Sequence, residues 1–210
     1  MSERLERAGR RFARLATRAV VARPALWRLF RRPLRAQFDR LAPVWEGRRS
    51  TESFAPVDAA LARLAQPPRR ILDLGTGTGL AARLLAERFP AAEIVGVDVS
   101  PEMVAEARRM RPPALAGRVE FETADAAKLP FGDGHFDLVV LLNMIPFFDE
   151  LARVTEPGGM VVIASSRGSE TPIYVPEEVL RERLARVGFS NVEELAAGVG
   201  TAVVARRAGS

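Results

Sequence analysis

Gly75, Gly77 and Gly79 stand at alternate positions directly after the apolar run RRILDL, which carries an acid at Asp73. Glycine at such a turn accepts positive φ and lets a ligand approach the backbone, which a bulky side chain would prevent. In open α/β sheets the first strand-to-helix turn is the usual ligand site. A triphosphate loop needs Lys followed by Ser or Thr after its last glycine, and this turn runs into Leu80, Ala81 and Ala82. A dinucleotide turn wants a small residue three positions after its second glycine; after Gly77 that position holds Leu80, which demotes NAD or FAD to a runner-up. A tight turn that binds nothing is the plain alternative, because an isolated glycine pattern has little specificity.

Other reactive side chains are few. There is no cysteine and a single histidine, so thiolate and histidine metal sites are disfavoured and only carboxylate-bound Mg²⁺ stays open. His135, in GDGHFD, falls at the amino end of a strand, opposite the expected ligand, which argues against a role as general base. Asn143 falls at the carboxyl end of that strand. Phe147, Phe148 and Tyr174 could form an aromatic acceptor pocket, with core packing the equal alternative for the pair of phenylalanines.

These residues require a scaffold, and the periodicity supplies one. Leu5, Ala8, Phe12, Leu15, Ala16, Ala19 and Val20 lie at helical spacing opposite Arg4, Arg7, Arg11, Arg14 and Arg18, which predicts a basic amphipathic helix ending near Pro24. A second helix, ALWRLFRRPLRAQFDRLA, should break or kink at Pro33. A loop through EGRRSTESFAPV and a short helix over 57–65 follow.

Strands are then expected at RRILDLG, AEIVGVD, RVEFETAD, HFDLVVLLN and GMVVIASS. Helices alternate with them, one packing through Leu80, Leu84, Leu85 and Phe89, the next capped by Ser100 with Pro101 at its first position. After a last helix, NVEELAA and TAVVARR read as a hairpin. Continuous apolar strands are covered on both faces. The fold class is therefore α/β: a Rossmann-like, doubly wound, mostly parallel seven-stranded sheet with a C-terminal antiparallel hairpin and an N-terminal helical extension. The division expected is 1–56 for the basic helical extension and 57–210 for the α/β domain.

DLGTGTG, residues 73–79, resembles the first motif of the class I S-adenosylmethionine-dependent methyltransferases, in particular the small-molecule group that includes the menaquinone and ubiquinone biosynthesis enzymes. Three later segments agree in order: Asp98 ending the second strand, TADAAKLPF after the third, and FDLVVLLN followed by LARVTEPGGMVVI with a turn at Pro157-Gly158-Gly159. The resemblance implies S-adenosyl-L-methionine as cofactor, held by Asp73, Gly75, Thr76, Gly77, Gly79, Asp98, Val99, Met103, Asp125, Ala126 and Asn143. Within that set Asp98 would accept from the ribose hydroxyls, Asp125 from the adenine amino group, and the Ala126 N–H would meet a ring nitrogen. FDRLAPVWE, residues 38–46, resembles the family's lid segment, which implies packing by Phe38 and Trp45 and pairing of Arg48 or Arg49 with the methionine carboxylate. An ordinary amphipathic helix end is the competing reading. The connection between the fourth and fifth strands is shorter than the family's usual one, which puts the usual acceptor pocket in doubt.

The implied function is methyl transfer to a small, apolar or aromatic acceptor by in-line displacement, with no catalytic residue assigned. The sulfonium methyl is already electrophilic, so alignment and exclusion of water are what the protein must supply. Asn143-Met-Ile-Pro is not the Asn-Pro-Pro-aromatic motif of methyltransferases acting on nucleobases or glutamine, and Asn143 is read as lining the methionine end of the site.

Charge separates the chain in two. Residues 1–50 hold 14 Arg against 4 Asp and Glu, giving +10, so the other 160 residues carry −5 of the +5 total. A solvated helix is the plain reading; an anionic membrane or nucleic acid is the functional one. Nucleic acid is disfavoured, since no aromatic-studded basic strand accompanies the charge. The first 23 residues lack a signal-peptide core, and the expected location is the cytoplasm. Two alternatives remain at this point: a non-catalytic S-adenosyl-binding protein docking on RNA or anionic membrane through its basic helix, and an NAD-dependent oxidoreductase.

Overall fold

The computed structural model describes residues 3–48 and 51–209. Its amino-terminal part is helical: α1 (Glu3–Ala22), α2 (Trp27–Trp45) and α3 (Ala55–Leu61), with single 3₁₀ turns at Pro24–Leu26, Glu46–Arg48 and Thr51–Phe54. The packed stripe of α1 is Ala13, Ala16, Thr17 and Val20, whereas Leu15 is 60% exposed. The buried face is thus rotated from the one expected, because small side chains let the helix lie close to its neighbours. Pro33 does not end α2. Its ring removes the donor for the Leu29 carbonyl, but Leu29 is 69% exposed, so water can satisfy that oxygen.

The remainder alternates: β1 (Arg70–Leu74), α4 (Leu80–Arg88), β2 (Glu93–Asp98), α5 (Pro101–Met110), β3 (Val119–Thr123), β4 (Phe136–Leu142), α6 (Phe148–Val154), β5 (Thr155–Ser165), α7 (Glu177–Arg186), β6 (Phe189–Ala197) and β7 (Gly200–Arg207). Seven strands form one sheet in the order β3-β2-β1-β4-β5-β7-β6. β1 to β5 are parallel, while β7 runs antiparallel to both β5 and β6. The doubly wound sheet and terminal hairpin expected from the sequence are present.

Successive residues of a strand point to opposite faces, and the cores divide accordingly. Leu72, Leu74, Val139, Leu141, Val161 and Ile163 join the cluster under α1, α2, α6 and α7. Ile71, Leu138, Val140, Met160 and Val162 join the cluster under α3, α4 and α5. The inner face of α4 consists of Ala81, Ala82, Leu85 and Ala86; Leu80, Leu84 and Phe89 are only half-buried. Alanines allow that helix to sit against the sheet more closely than the expected leucine stripe would.

Strand order reverses between β1 and β4, which opens a crevice beyond their carboxyl ends. The β4–β5 connection is short: α6 has seven residues and leads straight into β5. Pro157-Gly158-Gly159 lies within β5, in an irregularity where the register passes from Phe136↔Thr155 to Leu138↔Met160. The turn expected there is a bulge in the strand. No helix among the described residues is long and apolar enough to cross a membrane.

Candidate active site

The turn after β1 is braced from beneath. The Gly75 and Thr76 N–H groups both donate to the Val97 carbonyl, at 2.8 and 2.9 Å, and the Thr76 hydroxyl donates to Asp73 Oδ2 at 2.6 Å. Asp73 and Thr76 are buried and do not line the cavity beside the turn. Gly79, with φ +80°, caps α4; a Cβ there would lie 2.7 Å from Phe121 Cζ. Three residues placed in the cofactor set from sequence, Asp73, Thr76 and Gly79, thus shape the turn and do not face the ligand space. The physical reason is that so tight a turn buries its own support.

Gly75 and Gly77 do line the cavity. The Gly77 N–H donates to Asp98 Oδ2 at 3.0 Å, and the Ser100 N–H donates to Asp98 Oδ1 at 2.9 Å. Each carboxylate oxygen keeps a further acceptor site. Burial lifts the Asp98 carboxyl to about 6; the N–H groups of Ser100, Gly77 and Val99 draw it down, and the nearby Asp39 carboxylate adds to the rise. Ser100 also caps α5, accepting from the Met103 N–H at 3.1 Å.

Asp39 of α2 and Glu46, at the start of the 3₁₀ turn after it, close over the glycine turn. The Ser100 hydroxyl donates to Asp39 at 2.6 Å, while Glu46 accepts from the Thr78 hydroxyl and from Arg83, each at 2.5 Å. Phe38 and Trp45 meet edge to face at 5.9 Å, and a Cβ on Gly77 would come within 3.3 Å of the Trp45 ring nitrogen. The resemblance pointed to packing by Phe38 and Trp45; the two carboxylate clasps are an addition. Asp39 and Glu46 lie seven positions apart, two helical turns, so their shared face was a signal available in the sequence.

Asp125 faces α2: Oδ1 accepts from the Trp27 ring N–H at 2.7 Å and from the Ala127 N–H at 3.0 Å, and Oδ2 pairs with Arg31 at 2.7 Å. Its expected adenine contact therefore competes with two side chains of the lid. Trp27 gave no sequence signal for this contact, which depends on where the helix packs.

The cavity is 1770 Å³, larger than the roughly 300–1,000 Å³ of a single small-ligand pocket. Of the other sequence-assigned residues, Asp98, Val99, Met103, Ala126 and Asn143 line it. Asn143, at φ 58°, joins the ends of β4 and β5: its side chain donates to Ser166 Oγ at 3.0 Å and accepts from the Ser166 N–H at 2.9 Å. Phe12, Leu34, Met144, Ile145 and Tyr174 also line the cavity, with Met144 packed at the turn, where a Cβ on Gly75 would lie 2.9 Å from its sulfur. Arg10 and Arg14 donate to the carbonyls of Glu170 and Ser169, at 3.1 and 3.3 Å, and thereby fasten α1 across the loop after β5.

Phe147 and Phe148 are buried and absent from the cavity wall; Phe147 packs edge to face on Trp27 at 5.2 Å. His135 precedes β4 at its amino end, with its ring 5.8 Å from Phe131 and stacked on it. Tyr174 is raised above its ordinary pKa by burial and then by Glu194, Glu178 and Glu177, which keeps it a hydroxyl at neutral pH. The expected contacts of Arg48 and Arg49 lie outside the described side chains.

The sheet order, the braced glycine turn and the acid ending β2 define the class I methyltransferase architecture. Residues 71–159 match the family described as "Methyltransferase domain". A demethylmenaquinone methyltransferase from Thermus thermophilus is 48% identical over 107 residues, 48% of this chain and 48% of that protein. A ubiquinone/menaquinone biosynthesis C-methyltransferase from Geotalea daltonii is 32% identical over 145 residues, 62% of this chain and 61% of that protein. An S-adenosylmethionine-dependent methyltransferase structure from Aquifex aeolicus superposes with a TM-score of 0.64 at 21% identity, over 74% of this chain and 91% of that one, a likeness of fold. The chain spans about half the length of the first of these relatives. Its matching segment is similar to the methyltransferase domain of that family and to the demethylmenaquinone and ubiquinone methyltransferases.

Proposed function

We propose that the protein transfers a methyl group from S-adenosylmethionine to a small, apolar or aromatic acceptor, of quinone type as in the relatives' names. The observation that carries the reading is the single cavity whose walls include Asp98 and the glycine turn together with Phe12, Leu34, Met144 and Ile145. Its volume is enough for a cofactor and an acceptor side by side. Residues 1–56 act as the lid and 57–210 as the transferase domain.

The donor set suits the cofactor. Asp98 offers two oxygens, each already oriented by a backbone N–H, to a pair of vicinal hydroxyls. Gly75 and Gly77 line the cavity without side chains of their own, Val99, Met103 and Ala126 supply apolar walls for a base, and Asn143 lies at the end of β4. Arg40 also lines the cavity and makes no ion pair among the described residues, so it takes the carboxylate role offered above to Arg48 and Arg49. Asp125 serves as an anchor for Trp27 and Arg31 in this reading.

When bound, the cofactor supplies an electrophilic methyl group. The chain's contribution is to orient the acceptor against the turn, and to exclude water by the clasps of Asp39 and Glu46 and the fastening of α1. Tyr174 offers a hydroxyl donor to the acceptor, and no histidine lines the cavity among the described residues.

Titration calorimetry with S-adenosylmethionine and its demethylated product tests the cofactor, with binding of both expected. Absence of heat from either, alongside binding of NADH, would replace the reading by the oxidoreductase one. A metabolite screen with isotopically labelled methyl donor, read by mass spectrometry, tests transfer; cofactor binding without any labelled product would leave the non-catalytic binding protein.

A further inference from the structure

All sixteen arginines beyond residue 50 make an ion pair or a hydrogen bond. The lid differs. Arg11, Arg18, Arg23, Arg28 and Arg32 have exposed side chains without either among the described residues. The described acids of the same segment are taken up elsewhere, Asp39 by Ser100 and Arg35 and Glu46 by Thr78 and Arg83, and neither pairs with these five arginines.

Large apolar side chains are exposed on the same helices: Leu15 at 60%, Leu29 at 69% and Val44 at 52%. Leu15 lies one helical turn from both Arg11 and Arg18, and Leu29 one turn from Arg32. Arg7, Arg10, Arg11 and Arg14 line a small concavity of 200 Å³ on α1. The inner side of α1 meanwhile lines the cavity through Ala8, Gly9 and Phe12. The cationic face is therefore the outside of the cavity's cover.

We propose that the outer face of α1 and α2 docks on an anionic lipid surface, with Leu15, Leu29 and Val44 entering the headgroup and acyl boundary and the unpaired guanidiniums meeting phosphates. Interleaved arginine and aliphatic side chains on an amphipathic helix suit that interface: the long stems lie along apolar surface while the charged heads reach phosphate. A nucleic acid would be met by exposed aromatic rings for stacking. Here Trp27 is buried, and Phe12, Phe30, Phe38 and Trp45 are half-buried against the core or the turn. Docking places the cavity's cover at the bilayer, where an apolar acceptor would be dissolved. The surface itself stands independently of the methyl-transfer reading.

Co-sedimentation of the full chain with vesicles containing phosphatidylserine, and with pure phosphatidylcholine vesicles, tests the docking. Binding at least tenfold stronger to the anionic vesicles is expected, falling steeply with salt. The quadruple variant R11Q/R18Q/R28Q/R32Q should lose that preference, and L15S/L29S/V44S should weaken binding tenfold or more while keeping the salt dependence. Unchanged thermal melting and unchanged S-adenosyl ligand binding identify folded variants, and failure of cofactor binding in the parent chain would not affect the vesicle result. Equal binding to both vesicles, no binding to either, or single-stranded RNA displacing the anionic vesicles would overturn the proposal.

Discussion

Asp98 combines burial with a position on the cavity wall, and its carboxyl is lifted to about 6 mainly by desolvation. An ordinary aspartate titrates near ~4. The raised value makes Asp98 contribute stability that is full below about pH 4 and lost as pH rises through about 6, since the folded chain holds the proton more tightly. Ligand binding runs the other way: only the ionised carboxylate accepts from both hydroxyls. S-adenosylmethionine affinity, measured by calorimetry, should therefore fall as pH is lowered from 7.5 through about 6. D98N should weaken binding by roughly 1.5–3 kcal/mol and flatten that pH dependence. At Gly79 the limit is steric. Gly79→Ala keeps φ near +80° only under strain and brings a Cβ to 2.7 Å from Phe121, so a loss of about 2–4 kcal/mol in denaturant unfolding is expected.

The lid is held at the level of whole elements, by contacts spaced along α1 and α2. Glu46 joins the end of α2 to both Thr78 and Arg83, whose side chain is mostly buried. E46Q keeps one hydrogen bond and loses the charge, so the segment near 46–54 should become more susceptible to limited proteolysis, with faster cofactor release in stopped flow and little change in overall melting. Arg40→Gln acts differently: it touches no clasp, and should weaken S-adenosylmethionine about tenfold while leaving adenosine binding unchanged, which calorimetry would separate. Pro33 shows the same dependence on how whole elements pack. Periodicity places a helix on both sides of the proline, but whether the chain passes through depends on the far side of residue 29 being wet.

For the molecule as a whole, the cavity has one wall from the sheet's carboxyl edge and another from helices that precede the domain in sequence. A ligand that binds both walls joins them. At a hundredfold excess over Kd a folded-state ligand adds about 2.7 kcal/mol. For a chain of this size that corresponds to a rise of roughly 5–10 °C in Tm with the demethylated cofactor, readable by calorimetric melting. A single transition that shifts as a unit is expected, because α1 and α2 share one core cluster with β1, β4 and β5.

The alternation of strands and helices, the hairpin, the Ser100 cap and the glycine turn with Asp98 were legible from sequence, because each depends on periodicity or on residues close along the chain. Side-chain roles in space were not. Thr76 and Asp73 turned inward because the turn buries its own brace. Phe147 and Phe148 went to the core, Phe147 against Trp27 of α2, and Asp125 turned to that same helix. The sequence alone determined that an α/β domain presents an acid and a glycine turn at a switch point. Only the tertiary structure decided that the arginine-rich helices cover that point, since the contacts from Arg10 to Glu170 and from Trp27 to Asp125 join residues 160 and 98 positions apart.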